Sequence, residues 1–576
     1  MMLFMKEYLA VATRRVLAGN NRFYLFLIFI FILSFLLRFY KLGQIPFGFS
    51  QDESAIGYNA YSILQTGKDE YGKFLPVYFK SFGDYKLPVY FYLTALSVKI
   101  FNLNEFSVRF SSALLGSVSV VILYFLVKDI SGNKKMAGLS SFLLAINPWH
   151  LHFSRAAFEV NIALFFALFG VWMFVKFEKT KPIYLFISVL SFALSLYSYN
   201  VTRLLAPLLL TCLIIVCFDK VKIIPKKTIF ALGIFFVFLL LPFLTTLFFP
   251  SGLLSSKGAL ITSSDIQSKI IEFKSYLADL PGIFPVAFFN DTFMLVWQYL
   301  ENVVSSLSPA FFFVSGTAHG NQGIGVGMFY LFQFPLVILG LISIFKNKIK
   351  DLNLFIYWAI ISFLVLSLSK EVPHATRGYF IVIPFQVFSA IGALYLLSLI
   401  KKFNNAVKIF SGVFFGFIVL FSVLYYFISY YFRFPILYAK AWRLEDKSVS
   451  LYIKDNEHKY DKIIFDKNAG FMYTSLLFYL SYTPLGFQNT VIRDPDDSEG
   501  FSFVRSFGKY EFRDVDWPND YKKKRMLFIT TADRKPLEIP PLVTFYYPKK
   551  PVVFSVKEKV ISFPIEEIAY VLVETK

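Results

Sequence analysis

A succession of long apolar runs constrains this chain more than any other feature. They lie at about 23–40, 107–127, 137–149, 160–175, 183–199, 204–218, 228–249, 328–345, 353–369, 378–400 and 409–432, with short polar loops between most of them. A hydrocarbon core about 30 Å thick needs about 20 apolar residues per crossing helix, because each residue adds about 1.5 Å. The runs are continuous rather than alternating, which reads as helices and not as strands of a membrane barrel. Composition agrees: 56% of the 576 residues are hydrophobic and 17% charged, against about 45–50% and about 25% in soluble domains. A mainly soluble, disordered or fibrous protein is excluded.

The net charge of +20 does not mark a nucleic-acid binder. Residues 1–432 hold 35 Lys and Arg against 18 Asp and Glu, and residues 433–576 hold 23 against 20, so no basic stripe sits on a polar domain. The excess lies between the apolar runs. Loops 128–135, 176–181, 220–227, 346–350 and 401–408 hold 16 Lys, whereas the alternate short loops hold only Arg155, Arg203, Lys370 and Arg377. Basic loops stay in the cytoplasm, so this asymmetry predicts a cytoplasmic N-terminus and a multi-pass protein of the plasma membrane. Residues 87–101 are short and interrupted by Lys99. A crossing there would invert every later loop, so they read as an interfacial or re-entrant helix. The expectation is about eleven transmembrane helices. The basic first 20 residues precede a run without a small-residue cleavage signal, which reads as a retained span rather than a signal peptide. Cys212 and Cys217 share one apolar run and read as buried small hydrophobes, not as a disulfide or metal site.

This topology makes 1–432 a transmembrane domain with two long external loops, 41–106 and 250–327. The second holds an amphipathic stretch around 284–312 and the Gly-rich end SGTAHGNQGIGVG. From about 433 the composition changes. Helix-like 437–454 and 471–480 and strand-like 462–465, 526–530, 542–547, 551–556 and 568–573 predict a small extracytoplasmic α/β domain over 433–576.

The candidate chemistry lies at the external ends of the runs. In FSQDESAIGYNAYSILQTGKDEYG, residues 49–72, Ser50 and Glu53 form an S-x-x-E capping box and Gly67 suits the helix end. Glu53 thus has the structural task of capping and orienting the helix. Asp52, in its first turn, is left to accept a proton or bind a cation. GDYKLPVYF, residues 83–91, offers Asp84 and Lys86, a compact charge suited to a lipid phosphate. NPWHLHFSRAAFEVN, residues 147–161, spaces Arg155 and Glu159 as i, i+4 on one helix face. EVPHATRGYFIVIP, residues 371–384, adds His374 and Arg377, and Arg203 stands at the same level. Lys86, Arg155, Arg203 and Arg377 could converge on one anion. Each feature also has a plain reading: a helix cap, a turn, a boundary ion pair. His150 and His152 form only a weak metal signal.

Taken in order, these elements resemble the glycosyltransferase C superfamily, most closely the branch of protein O-mannosyltransferases and lipid A aminoarabinose transferases. The resemblance covers roughly 20–430. It rests on one span followed by the external Asp-Glu pair, the Lys-Leu-Pro element, NEFSVRFSSALLG at 104–116, the S-R-A-A-x-E element, and an R-x-x-x-x-x-x-P element opening a late span. It implies a polyprenyl-phosphate-linked sugar as donor and a reaction on the outer face. Asp52 matches the family's catalytic acid, Glu53 its neighbour, and Lys86 the lysine that contacts the lipid phosphate. This chain has Lys-Leu-Pro where Lys-Pro or Pro-Pro is commoner. Glu159 stands where many relatives carry a second acid. The C-terminal domain is similar to the exposed tail of some bacterial relatives, with no function attached.

The expected activity is therefore inverting transfer of a sugar from a polyprenyl phosphate to a hydroxyl of a protein, glycolipid or polysaccharide. Asp52 and Glu53 form the catalytic pair. Lys86, Arg155, Arg203 and Arg377 bind the donor phosphate, and Asp84, Glu159 and His374 support them. The leaving group is already a phosphate, so no cofactor is required and a divalent cation is optional. The alternative is a lipid or glycan transporter. Such a protein should show paired repeats and charges near mid-membrane, whereas the charges here cluster at the ends of the runs.

Overall fold

The computed structural model of the chain describes residues 21–82, 84–178, 180–247, 260–276, 290–317, 320–347, 352–496, 502–548, 550–556, 559–565 and 567–575. The readings for residues 1–20, and parts of those for 250–327, lie outside them. Each apolar run meets a helix. The first nine helices are α1 Asn21–Phe39, α2 Gln51–Thr66, α3 Pro88–Phe101, α4 Glu105–Ser131, α5 Lys134–Ile146, α6 Pro148–Ser154, α7 Glu159–Lys176, α8 Ile183–Leu196 and α9 Thr202–Val216. The later apolar runs form α10 Lys226–Leu247, α11 Gln333–Asn347, α12 Asn353–Ser367, α13 Val382–Ile400 and α14 Asn405–Ile428.

Local chemistry sets their ends. Asn104 caps α4 by accepting from the Ser107 amide, and Gly132 closes it at φ 64°, a conformation that favours glycine. Asn147-Pro148 separates α5 from α6, with Pro148 at the first helical position. Among the described residues, four helices are long and apolar enough to cross a membrane: Glu105–Ser131, Glu159–Lys176, Tyr379–Ile400 and Asn405–Leu437. Others are apolar but shorter, among them α8, α9, α11 and α12 at 14 or 15 residues. At about 1.5 Å per residue, each falls short of a full crossing. The 14-residue α3 is the helix placed at the interface by the sequence.

The helices pack through small residues. A Cβ on Gly392 would stand 1.9 Å from the Leu336 carbonyl oxygen, and one on Gly340 2.0 Å from that of Phe388. These glycines let α11 and α13 approach backbone to backbone, as membrane helices do. A buried amide contact, Gln333 Nε2 donating to Gln386 Oε1 at 2.9 Å, crosses the same interface.

After α14 the chain forms the helices Leu444–Asn456, Tyr473–Tyr479 and Pro484–Thr490 and a seven-stranded mixed sheet. Counting the short pair β1 Phe79–Ser81 and β2 Asp84–Lys86, the later strands are β3 Lys462–Asp466, β4 Ile492–Arg493, β5 Val504–Phe507, β6 Tyr510–Arg513, β7 Met526–Thr530, β8 Val543–Tyr546, β9 Lys550–Val556, β10 Lys559–Ile565 and β11 Ile568–Glu574. The sheet order is β4-β5-β6-β3-β7-β11-β8, with β3 parallel to both β6 and β7. All five residues of the central β7 are buried, which accounts for its continuous apolar run.

Three details differ from the sequence reading. The helix expected over 437–454 begins at Leu444, because Arg443 takes φ 54° and breaks it. The run 551–556 pairs with β10 in a separate ribbon rather than joining the sheet. Strands β4, β5 and β6 are two to four residues long and carry Arg493, Arg505 and Arg513, too short a pattern to read from the sequence. The sheet unit packs on α2: Tyr58 lies in its core, and Ser54 Oγ is 2.8 Å from Thr474 Oγ1.

Candidate active site

Helix α2 is fixed at its N-terminus. Ser50 Oγ accepts from the Glu53 amide, and Glu53 Oε2 accepts from the Ser50 amide at 3.1 Å. Gly67 ends the helix at φ 69°. This is the capping box expected from the sequence.

Glu53 does more than cap. It is 1% exposed, and Arg109, fully buried in α4, grips it twice: Nε to Oε1 and Nη2 to Oε2, both at 2.8 Å. The Ala157 amide adds a third donor at 3.0 Å. Arg109 also donates to the carbonyls of Leu42, Pro46 and Gly48, and lies 5.7 Å from the Trp442 ring centroid. This bidentate pair holds the loop, α2 and α4 as one unit. The sequence reading passed over Arg109 within NEFSVRFSSALLG. An arginine inside an apolar helix was itself the signal.

Asp52 points the other way. Its side chain is 53% exposed and its Oδ1 lies 3.0 Å from Lys86 Nζ, which is itself buried at 6%. The lysine ammonium sits 4.9 Å from the Phe82 ring centroid. β2 delivers Lys86, and α3 begins two residues later with Pro88 at its first position.

Asp52, Glu53, Lys86, Glu159, His374 and Arg377 line one cavity of about 290 Å³. Six of the nine residues singled out in the sequence therefore meet, from four separate stretches of chain. His374 Nδ1 lies 2.9 Å from Thr376 Oγ1. The buried Nη1 of Arg377 has no hydrogen-bond acceptor among the described residues. Asn321 and Gln322 of the Gly-rich loop and Trp442 complete the wall.

Two cations stand elsewhere. Arg155 is 1% exposed, and it donates to the carbonyls of Leu37, Arg38, Tyr40 and Ile45 while stacking near Tyr430 and Tyr431. It ties α1 to the bundle and is not among the residues lining the cavity. Nor does it share a helix face with Glu159: α6 ends at Ser154, and α7 starts afresh at Glu159. Arg203 Nη2 donates to the Tyr78 hydroxyl at 2.8 Å, beside the cavity rather than in it. Asp84 lies in β2, and its side chain falls outside the described residues. The two histidines also part: His150 Nδ1 is 2.6 Å from Arg38 Nη2, while His152 Nε2 meets the Asn321 carbonyl. Among the described residues no group of three His, Cys, Asp or Glu could hold a metal.

The segment after α2 carries a carboxylate shaped by burial. Glu70 is 1% exposed, and desolvation raises its pKa to about 7, only partly opposed by Arg493 and by the 2.9 Å hydrogen bond from Tyr473. Its folded pKa lies above the ordinary carboxylate value. Its stabilising contribution is therefore full in acid and is lost as pH rises through about 7. Glu70→Gln should flatten this dependence: its midpoint of thermal unfolding should change less than that of the wild type between mildly acidic and neutral pH.

Residues 86–245 match the family described as dolichyl-phosphate-mannose-protein mannosyltransferase. The resemblance read from the sequence stands. A putative mannosyltransferase, YkcB, of Bacillus subtilis (strain 168) is 33% identical over 101 residues, 17% of this chain and 14% of its own length. An uncharacterized protein of Aquifex aeolicus (strain VF5) is 30% identical over 152 residues, 26% of this chain and 29% of its own. The matches thus span less than a third of these curated relatives. Among solved structures, ArnT from Cupriavidus metallidurans bound to undecaprenyl phosphate is similar over 96% of this chain and 98% of that one, with a TM-score of 0.53 and 12% identity. The chain shares the fold of that ArnT structure, with a sheet domain at its C-terminal end.

Proposed function

We propose that the chain is an integral-membrane glycosyltransferase that moves a sugar from a polyprenyl-phosphate donor to an acceptor hydroxyl. One observation carries the reading: the half-exposed Asp52 carboxylate stands against the buried Lys86 in a cavity that also holds the unaccepted Nη1 of Arg377. A base for the acceptor and cations for the departing phosphate are what this transfer requires. The acceptor oxygen bonds to the anomeric carbon as the bond from that carbon to the phosphate oxygen breaks, with inversion. Asp52 takes the hydroxyl proton, and Lys86 and Arg377 meet the charge left on the polyprenyl phosphate. Glu53 positions the helix that presents Asp52, and Glu159 and His374 line the same space. Arg155 and Arg203 drop out of the phosphate set. The family match supports the reaction class, and the undecaprenyl phosphate in the ArnT structure supports the kind of donor.

Lys86→Ala and Arg377→Ala should each weaken undecaprenyl phosphate binding by about ten- to a hundredfold, the scale of a lost charge-assisted contact of about 1.5–3 kcal/mol. Titration of the purified protein in nanodiscs measures this. Unchanged affinity in both variants rejects the anion site.

The reaction is placed on the outer face, with residues 433–576 external and the N-terminus cytoplasmic, on the strength of the lysine distribution. A reporter fused after Lys576 should be active only when exported. Activity confined to the cytoplasm would reverse the orientation.

A further inference from the structure

We infer that a second cavity beside the first seats the acceptor, and that this acceptor is a carbohydrate chain; the inference rests on the transferase reading. The cavity measures about 390 Å³ and is lined by Asp69, Tyr71, Lys73, Tyr78, Lys80 and Tyr85, with Gly72 at its turn. Tyr85 lines both cavities, and its chain neighbour Lys86 is the partner of Asp52. A ligand seated in the second cavity therefore reaches the proposed base by passing Tyr85.

The lining decides the chemistry. Three tyrosines, two lysines and an aspartate face the space, and among the described residues no aliphatic side chain does. A sugar ring presents C–H faces that stack on aromatic rings, and hydroxyls that bridge polar heads; tyrosine supplies both functions in one side chain. A peptide acceptor would call for pockets for apolar side chains, which this lining lacks. The volume suits a short run of sugar rings, at the lower end of small-ligand sites.

The walls are held in place by other groups. The Arg493 guanidinium lies 3.9 Å from the Tyr71 ring centroid. Lys80 Nζ stands 5.5 Å from the Tyr71 ring and 5.6 Å from the Tyr85 ring, and pairs with Asp496 at 2.7 Å. Arg203 Nη2 holds the Tyr78 hydroxyl. Rings fixed in advance lose little freedom when a ligand stacks on them. Arg203 and the polar residues Arg493 and Asp496 of the C-terminal part thereby gain a role that the donor site does not give them.

The test uses the full-length protein in nanodiscs and saturation-transfer NMR with three probes: mannotriose, trigalacturonate and a Ser/Thr-containing hexapeptide. At millimolar concentration at least one trisaccharide should bind and the hexapeptide should not. Tyr71→Ala and Lys73→Ala should each weaken that trisaccharide by about tenfold, while undecaprenyl phosphate affinity stays at the wild-type value. Lys73 is exposed at a turn, so its variant reports even where loss of Tyr71 disturbs the Arg493 contact. Binding of the hexapeptide alone, binding of no trisaccharide, or trisaccharide affinity unmoved in Lys73→Ala overturns the proposal. Failure of the wild type to bind undecaprenyl phosphate strikes the transferase reading instead, so the two failures are told apart.

Discussion

Asp52→Asn is expected to leave the protein folded and able to bind undecaprenyl phosphate while lowering sugar transfer by about 10²–10⁴-fold, the range of a general base. The asymmetry follows from where the carboxylate stands. Asp52 is half exposed, and the capping box beside it is built from Ser50 and Glu53. Its ion pair is with Lys86, and a partly solvated pair of this kind contributes about 0.2–1 kcal/mol, too little to threaten the fold. Asparagine keeps the size and one acceptor oxygen but cannot take a proton from the acceptor. Transfer of a labelled sugar, read beside thermal unfolding of the same preparation, measures both halves. Near-wild-type transfer by Asp52→Asn would remove it from the role of base. The product of the wild-type reaction should carry the opposite anomeric configuration from the donor, because one displacement at one carbon inverts it.

Much of this arrangement was legible in the sequence, for a physical reason. Apolar runs, caps and charge asymmetry are local signals, and α1 to α14, the capping box at Ser50 and the closing Gly67 all follow from them. Asp52, Lys86, Glu159, His374 and Arg377 could be singled out because each stands at the end of a run, where a charge is not forced by solubility alone. What spacing could not supply was direction. Arg155 looks like Arg377 in the sequence, yet its guanidinium turns towards the backbone of α1 and meets four carbonyls there. The i, i+4 relation of Arg155 to Glu159 failed because it assumed one continuous helix where α6 stops and α7 begins. The strands β4 to β6 escaped notice because each is only two to four residues long, too short to show a period.

Glu53→Gln should destabilise the protein strongly, by about 3–5 kcal/mol, the cost of leaving one partner of a buried ion pair uncompensated. From the capping box alone the expectation was mild, since glutamine can still reach the Ser50 amide. Arg109 changes the sign of that comparison. Its guanidinium is fully buried and spends two donors on the Glu53 carboxylate, so a neutral amide leaves a charge in the protein interior with too few acceptors. Arg109→Ala should be as damaging from the other side, stranding the buried Glu53 carboxylate without its countercharge. Replacing both, as Glu53→Gln with Arg109→Met, removes charge and countercharge together and should cost less than the two single changes added. Thermal unfolding in detergent, with the yield of membrane-inserted protein as a second measure, separates these cases. Additive losses in the double variant would mean that the pair is not coupled. Glu53→Gln as stable as the wild type, but inactive, would move Glu53 from positioning into the chemistry. The contrast with Asp52 is then a direct experimental signature of division of labour between neighbours: one carboxylate whose loss removes turnover but not fold, and one whose loss removes the fold on which turnover depends.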